Sequence, residues 1–410
     1  MNPLQKNLRN KLKVAIVSIY PPPKSKHSKS GGVASYTHNL ANAIPKSSIE
    51  TMVFSNNLPD IESNYVENGI TIKRCWDKGI KYPFQIFFNI FSSKVDVIHL
   101  QHEFFLYGNG ISAGLFPLLQ LLLKLLNTPI IVTIHGVIPL SKLNKEFIEE
   151  NKLNGNPFIL KAGLYSLVKL IIKLSTCTIV HENKLKEILQ DEYKCNSSKI
   201  QVIPHGIEER EDSFESDRAK QMICFQYKKI VLFFGYLTGY KGIELLIEAF
   251  NCLDEKEAIL IIGGGEHPRL KEDESYKKYI VSLKKKAIDT GRNIIFTGFV
   301  PEEKIAMYFS AADVVVCPYT VFMSSSGPLS LSLAYSKPFL VSESYKGVIE
   351  LEELIFRNDP KELAEKIALI INSKSSLKEH ALNYCMQMRK ERLWNTIANK
   401  TDEVYRRSVI

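Results

Sequence analysis

Several familiar chemical signatures are missing from this sequence. Its seven cysteines, Cys75, Cys177, Cys195, Cys224, Cys252, Cys317 and Cys385, are odd in number and never form a C-x-x-C pair. That argues against a disulfide framework and a structural zinc site, and fits a reducing cytoplasm. No G-x-x-x-x-G-K-[ST] occurs, which excludes a P-loop, and no H-E-x-x-H occurs, which argues against catalytic zinc. Uninterrupted apolar runs stop short of the ~18 residues of a membrane span. The nearest approach is GLFPLLQLLLKLLN at 114–127. The opening residues MNPLQKNLRNKLKVAIVSIY are basic, but their apolar run is short and lacks a signal peptide's cleavage site. Nucleic acid is disfavoured as a partner, because no arginine-rich or aromatic-interleaved stretch occurs.

What is present describes an ordinary folded chain of 410 residues, 45% hydrophobic and 24% charged, long enough for two domains. Charge is unevenly placed. Residues 1–205 carry 24 Lys and Arg against 14 Asp and Glu, and residues 206–410 carry 29 against 30, so the halves are +10 and −1. The first half is thereby suited to something anionic, a lipid surface or a phosphorylated substrate, or else its lysines serve solubility.

Short apolar runs alternate with helical patterns twice over. Strands are expected at 13–20, 50–55, 70–75, 96–101, 129–136 and 177–182, then at 229–236, 258–265, 293–300, 313–319 and 338–342. Their near-continuous Val and Ile content is that of strands covered on both faces. An α/β fold of two doubly wound domains is predicted, with the polar stretch EEREDSFESDRAK at 208–220 as the linker or its exit. Ligands of such sheets sit outside the carboxyl ends of strands, so two facing sheets imply a ligand in a cleft between them.

Those strand ends carry the candidates. After the first strand, Gly31 and Gly32 precede a helix, where bare backbone could approach a phosphate or sugar, or simply turn the chain. His102 with Glu103, and His135, close two adjacent strands, where polar groups converge on substrates; structural histidines are the alternative. Lys241 stands at the start of a helix, against the usual macrodipole preference unless an anion sits between it and the amides. Gly264, central in Gly263–Gly265, reads equally as a nucleotide contact or a turn, and G-x-G-x-x-G is incomplete there. In SSSGPLSLSLAY, Ser325, Ser326, Gly327, Pro328 and Leu329 form a turn entering a helix. Its free N–H groups and hydroxyls could take diphosphate oxygens, or the serines could be ordinary caps.

In order and spacing, Gly31-Gly32, His135-Gly136, VIPHGI (202–207), FFGYLTGYKG, GGG, FTGFVPEEKIAMYFSAADVVVCPY and the small-residue helix before Lys337-Pro338 resemble glycosyltransferase family 4. The resemblance covers about residues 13–345. It implies a GT-B architecture: an acceptor-binding Rossmann-like domain (1–205), a nucleotide-sugar-binding one (206–385), and a C-terminal helix (386–410) returning towards the first. It further implies that Lys241 holds the donor diphosphate, Gly32 meets its phosphate and His135 contacts the donor sugar. His205 and Gly206 would face the donor, and Phe299 and Val300 the base.

Two departures stand out. Tyr236 occupies the place of an arginine, and Met323 and Leu331 lie near where the family has paired glutamates, leaving a Ser-Ser-Gly turn there. The expected activity is transfer of a hexose from a nucleotide-diphosphate sugar to a hydroxyl of a glycan or lipid-linked glycan, with retention, and without cofactor or metal. Should it invert, Glu103 or His102 would be the base. Other expectations are an epimerase, a sugar-phosphate synthase, or a silent nucleotide-sugar-binding subunit. The apolar, lysine-edged segments 82–91, 115–127 and 158–174 either cover the sheet or lie against an anionic membrane. The location expected is cytoplasmic, free or peripheral on the membrane.

Overall fold

The computed structural model of the chain describes residues 11–23, 32–150, 155–210, 212–226, 228–254, 258–268, 270–372 and 375–409. The chain divides into two compact units, Met1–Gly206 with Trp394–Ile410, and Ile207–Leu393.

In the N-terminal unit the strands are β1 (Leu12–Val17), β2 (Ile49–Asn56), β3 (Asn64–Glu67), β4 (Ile70–Trp76), β5 (Val97–His102), β6 (Ile130–Ile134), β7 (Cys177–Val180) and β8 (Ile200–Val202). They form one sheet ordered β3-β4-β2-β1-β5-β6-β7-β8, parallel except for the antiparallel β3–β4 pair. The connecting helices are α1 (Gly32–Ala43), α2 (Tyr82–Phe91), α3 (Gly110–Gly114), α4 (Phe116–Lys124), α5 (Lys145–Glu150), α6 (Pro157–Leu174) and α7 (Asn183–Asp191). The sequence periods explain the layout. Every residue of β5 and β6 is buried, as strands covered on both faces must be. Crossovers from β4 to β5 to β6 to β7 all step the same way, so right-handedness puts α2, α4 and α6 on one face and α1, which steps back to β2, on the other.

The C-terminal unit opens with α8 (Ser216–Met222) and builds β9 (Lys229–Phe234), β10 (Ala258–Gly263), β11 (Ile294–Gly298), β12 (Val314–Cys317), β13 (Phe339–Ser342) and β14 (Ile355–Phe356). Their order is β11-β10-β9-β12-β13-β14, all parallel. Helices α9 (Ile243–Cys252), α10 (Glu274–Asp289), α11 (Glu302–Ala311), α12 (Gly327–Ala334), α13 (Pro360–Ile371) and α14 (Ser376–Arg392) complete it. The order reverses at β9, which has β10 on one side and β12 on the other. That reversal is the switch point where open α/β sheets bind ligands.

Two boundaries are sharpened. The polar stretch 208–220 is the exit of the linker, held to the second unit: Phe214 N–H donates to Ser310 Oγ at 3.0 Å, the Tyr335 hydroxyl donates to Asp212, and Ser216–Met222 is helical. Its charges find partners on the C-terminal unit, so the chain passes between units at Gly206/Ile207. The return to the first unit begins at Trp394, later than residue 386. Helix α14 stays with the second unit because Cys385 and Met388 are buried and Arg389 donates to Ser336 Oγ at 2.9 Å. The last helix, α15 (Trp394–Ser408), then supplies Ile397, Ala398, Val404 and Tyr405 to the core of the N-terminal unit, against Tyr36, Leu40 and Ala41 of α1.

Candidate functional site

In the C-terminal unit the switch point holds a buried ammonium. After β9 the chain passes Gly235 at φ +126° and makes a tight turn over Gly239–Lys241. It enters α9 through Gly242 at φ +62°, where a Cβ would fall 2.0 Å from the Pro318 carbonyl oxygen. Only glycine fits there. The turn, closed by Lys241 N–H on the Thr238 carbonyl at 3.0 Å, drives the Lys241 side chain inward. Its Nζ lies 5.5 Å from the centre of the Tyr319 ring, and the residue is 8% exposed.

Burial lowers the Lys241 pKa to about 8, and the chief opposing influence is the Cys317 thiol rather than a carboxylate. At neutral pH the group is thus charged, buried and without an ion-pair partner among the described residues. Such a charge is costly unless an anion meets it.

Helix α12 starts beside it. A Cβ at Gly235 would sit 2.5 Å from Lys241 Nζ and 3.8 Å from Pro328 Cγ, so ammonium and helix start converge on one bare glycine. Proline in the first turn sacrifices no intrahelical bond, and the Gly327 N–H has no intrahelical acceptor. A Cβ at exposed Gly327 would meet nothing within 4 Å, which leaves room at the helix start.

The two serines divide their work. Ser326 is the N-cap: its hydroxyl accepts from Leu329 N–H at 3.3 Å and lies among buried Cys317, Tyr319 and Tyr345. The Ser326 hydroxyl and the Leu329 amide are therefore engaged with each other, which is the ordinary-cap reading of that serine. Ser325 Oγ is buried and, among the described residues, has no hydrogen-bond partner. Its hydroxyl, unlike that of Ser326, is not engaged in the fold.

Of the two readings of Gly264, the geometry accounts for the turn. At φ +147°, a Cβ there would fall 2.0 Å from the Gly235 carbonyl oxygen, and its N–H donates to the Gly298 carbonyl at 3.1 Å. The glycine is required because the ends of β9, β10 and β11 close on one another, and its amide is spent doing so. Next to it Phe299 is 69% exposed while Val300 is buried. A Cβ at Gly265 would touch Phe299 at 3.2 Å, and half-exposed Tyr236 stands edge-on to His267 at 5.3 Å. These aromatics leave exposed ring surface beside the Gly235–Gly265 turns.

In the N-terminal unit the polar groups at the strand ends join in one buried chain. Tyr405 of α15 contacts His99 Nδ1 at 2.7 Å, and His99 Nε2 meets Thr133 Oγ1 at 2.7 Å and the Gln101 carboxamide at 3.1 Å. That carboxamide is 2.8 Å from His135 Nε2; His135 Nδ1 is 3.1 Å from His181 Nε2, whose own Nδ1 faces the Ile203 carbonyl at 3.1 Å. A carbonyl only accepts, so His181 carries its proton on Nδ1 and accepts at Nε2 from His135 Nδ1–H. His135 Nε2 is then bare, so the Gln101 carboxamide, placed with Oε1 2.8 Å from it, must be turned over to present its N–H₂ to His135 and its oxygen to His99 Nε2–H, while Tyr405 O–H donates to His99 Nδ1. Every ring in this assignment is neutral. Burial first, and the neighbouring histidines second, push the His135 pKa well below its ordinary value, and burial takes His99 to about 3.

Of the two readings of His135, the structural one has these contacts behind it: both its ring nitrogens are engaged within the fold. His102 is buried against Phe104 and Phe116; among the described residues neither ring nitrogen has a hydrogen-bond partner, and burial lowers its pKa to about 4. Glu103 is exposed. His102 and Glu103, the two alternative bases, thus stand in opposite surroundings, one buried among aromatic rings and one exposed.

Gly32 opens α1, where a Cβ would meet nothing within 4 Å; Gly31 lies outside the described residues. His205 Nδ1 is 2.7 Å from the Gly206 carbonyl. A Cβ at Gly206 would fall 2.4 Å from the Trp394 ring, so packing alone requires this glycine. Sequence reasoning missed Gln101, His181 and Tyr36. The signal for His181 was its place at the end of β7, beside His135. Tyr36 had none, yet its ring gathers His135 at 4.7 Å, His181 at 5.0 Å, His205 at 5.2 Å and Trp394 at 5.2 Å. Among the described residues, no group of three or more His, Cys, Asp or Glu is placed to hold a metal ion.

Comparison with known proteins agrees with this geometry. Residues 30–211 match the model of Glycosyltransferase Family 4, and residues 216–388 that of Glycosyl transferases group 1. An uncharacterized glycosyltransferase of Methanocaldococcus jannaschii is 24% identical over 96% of this chain and 98% of its own length. A putative glycosyltransferase of Bacillus subtilis is 37% identical over a stretch spanning 22% of each chain. Among solved structures, sucrose-phosphate synthase of Thermosynechococcus elongatus superposes with a TM-score of 0.72 at 17% identity, over 97% of this chain and 99% of that one. The Anabaena HepE structure in complex with UDP-glucose gives 0.66 at 14% identity, over 96% and 99%.

Proposed function

Because the chain belongs to the group 1 glycosyltransferases and has their GT-B architecture, we propose that it moves a hexose from a nucleotide-diphosphate sugar to a hydroxyl of a growing glycan. One observation carries the reading: Lys241, buried, charged and among the described residues without a carboxylate partner, faces the bare Gly235 beside the start of α12. Ammonium, Gly327 N–H and Ser325 hydroxyl together suit the oxygens of a diphosphate. The exposed rings of Tyr236 and Phe299 suit the flat face of a base. UDP-glucose in the Anabaena neighbour supports a nucleotide sugar as the donor class.

The proposed chemistry is retaining. The bond from the anomeric carbon to the diphosphate oxygen breaks, the acceptor oxygen bonds to that carbon on the same face, and its proton passes to the leaving diphosphate. Lys241 and the α12 amides stabilise the charge that develops there. No side-chain base is required, which agrees with the engaged nitrogens of His135 and the unfavourable surroundings of His102. The unit 207–393 would bind the donor and the N-terminal unit the acceptor. All seven cysteines are free thiols, in keeping with work in the cytoplasm.

The test is incubation of the purified chain with a panel of UDP- and GDP-sugars and glycan acceptors, following release of nucleotide diphosphate. Binding of one donor and its acceptor-dependent turnover are expected. Absence of both across the panel overturns the proposal. A sugar phosphate as acceptor is the second reading, favoured by the +10 charge of residues 1–205 and by the likeness to sucrose-phosphate synthase. Turnover on hexose 6-phosphates but not on glycans selects it.

A further inference from the structure

Helices α2, α4 and α6 lie side by side, α4 in contact with both others, on one face of the N-terminal sheet. Their inner faces are apolar, as the sheet demands. Their outer faces are apolar too. On α2 the buried side is Tyr82, Pro83, Ile86 and Ile90, while Phe84, Phe88 and Phe91 point out, 48%, 64% and 63% exposed. Leu121 on α4 and Leu125 just past its end do the same. On α6 no residue from Pro157 to Leu167 is buried, although that stretch contains Phe158, Ile159, Leu160, Leu164 and Leu167. A surface facing water has no use for three phenylalanines at i, i+4 and i+7.

Charge on the same surface has one sign. The three helices contain no Asp or Glu, and neither does the whole of 78–95. Lys78, Lys81 and Lys94 flank α2, and Lys124, Lys161, Lys169 and Lys173 lie on α4 and α6. All but the half-buried Lys161 are exposed. Ordinary surfaces intersperse both signs. A second copy of the chain is a poor occupant, because a two-fold contact sets this patch against itself, lysine facing lysine. An anionic bilayer satisfies both features: acyl chains take the aromatic and aliphatic rings, and head groups take the ammonium ends of side chains that reach outward. Among the described residues no helix is long and apolar enough to cross a membrane, so the contact is one of lying on the surface.

We propose that α2, α4 and α6 are a docking face for an anionic lipid bilayer, with Phe84, Phe88, Phe91, Leu121, Leu125 and Phe158 entering the acyl boundary. This goes beyond the reading of the donor site and does not depend on it. The experiment is sedimentation of the full chain with vesicles of phosphatidylcholine, alone or mixed with phosphatidylglycerol, at low and high salt. Binding to the mixed vesicles, weakened by salt, is expected. Phe84→Ser, Phe88→Ser and Phe91→Ser combined should reduce it at least about a hundredfold, and Lys124→Gln or Lys169→Gln about fivefold each. These side chains are exposed, so circular dichroism and nucleotide-diphosphate binding should stay unchanged. In Phe88→Trp, indole emission should shift to the blue when mixed vesicles are added. Failure to bind mixed vesicles at low salt overturns the proposal, as does equal binding to both vesicle types. A solution dimer that Phe88→Ser dissolves also overturns it, and makes the patch an interface between copies.

Discussion

Lys241 lies so close to Gly235 that a single added methyl group on that glycine would stand 2.5 Å from the ammonium. The lysine is thus held over the one spot at the end of β9 where backbone is bare. The donor role proposed for Lys241 sets affinity against fold stability at this spot.

Replacing Lys241 with Met should show the conflict directly. Removal of a charge-assisted contact to diphosphate is expected to weaken nucleotide-sugar affinity by about ten- to a hundredfold, measured by calorimetry. Melting temperature of the unliganded chain should rise or hold, because an unpaired buried ammonium is gone. Unchanged donor affinity would remove Lys241 from the site.

The same lysine gives a pH dependence with a definite sign. Burial holds its folded pKa at about 8, below that of the unfolded chain. Its charge, and with it donor affinity, should fall as pH rises through about 8, by up to about tenfold per unit. Stability of the empty protein should move the other way and rise over the interval from about 8 to the ordinary lysine range, since the unfolded chain then binds more protons. Titrating affinity and urea midpoint on one preparation from pH 7 to pH 10 checks both slopes.

Ser325→Ala and Ser326→Ala should separate two roles that look alike in the sequence. Loss of the Ser326 cap is expected to cost about 1 kcal/mol of stability, read from the urea midpoint. Loss of the unpartnered Ser325 hydroxyl should leave stability within about 0.5 kcal/mol and reduce donor affinity severalfold. The reverse pattern would contradict the assignment of the cap.

Gly206→Ala tests packing in the N-terminal unit. The new methyl would press on the Trp394 ring at 2.4 Å, so a loss of about 1–3 kcal/mol and altered indole emission are expected. A variant as stable as the parent would show that Trp394 yields without cost.

Much of this was legible beforehand, for reasons tied to particular residues. Strand runs such as AILIIG at 258–263 carry their own period, and Lys241-Gly242 announces a turn before an amphipathic helix. The commitments of individual groups were not legible. Ser325 and Ser326 are the same residue type in the same turn, and only the backbone angles at Ser326, φ −87° and ψ 115°, make one of them the cap. His135 resembled a free catalytic group until Gln101 and His181, distant in sequence, occupied both its nitrogens. Gly264 and Gly206 looked like ligand contacts because a glycine required by neighbouring backbone or by a ring reads the same in one dimension.

The place of α15 has a consequence for how the protein is made. Tyr405 closes its bond to His99 across 306 residues, and Ile397 and Val404 complete a core whose first strand begins at Leu12. The usual vectorial rule lets an N-terminal domain finish folding while the rest is being synthesised. Here residues 207–393 contain all the strands of their own sheet and can close during synthesis, whereas the earlier-made unit waits with an unfilled groove beside α1. Biogenesis thus runs out of order: the half translated first is sealed last, and until then it is the half most exposed to chaperones, proteases and wrong partners.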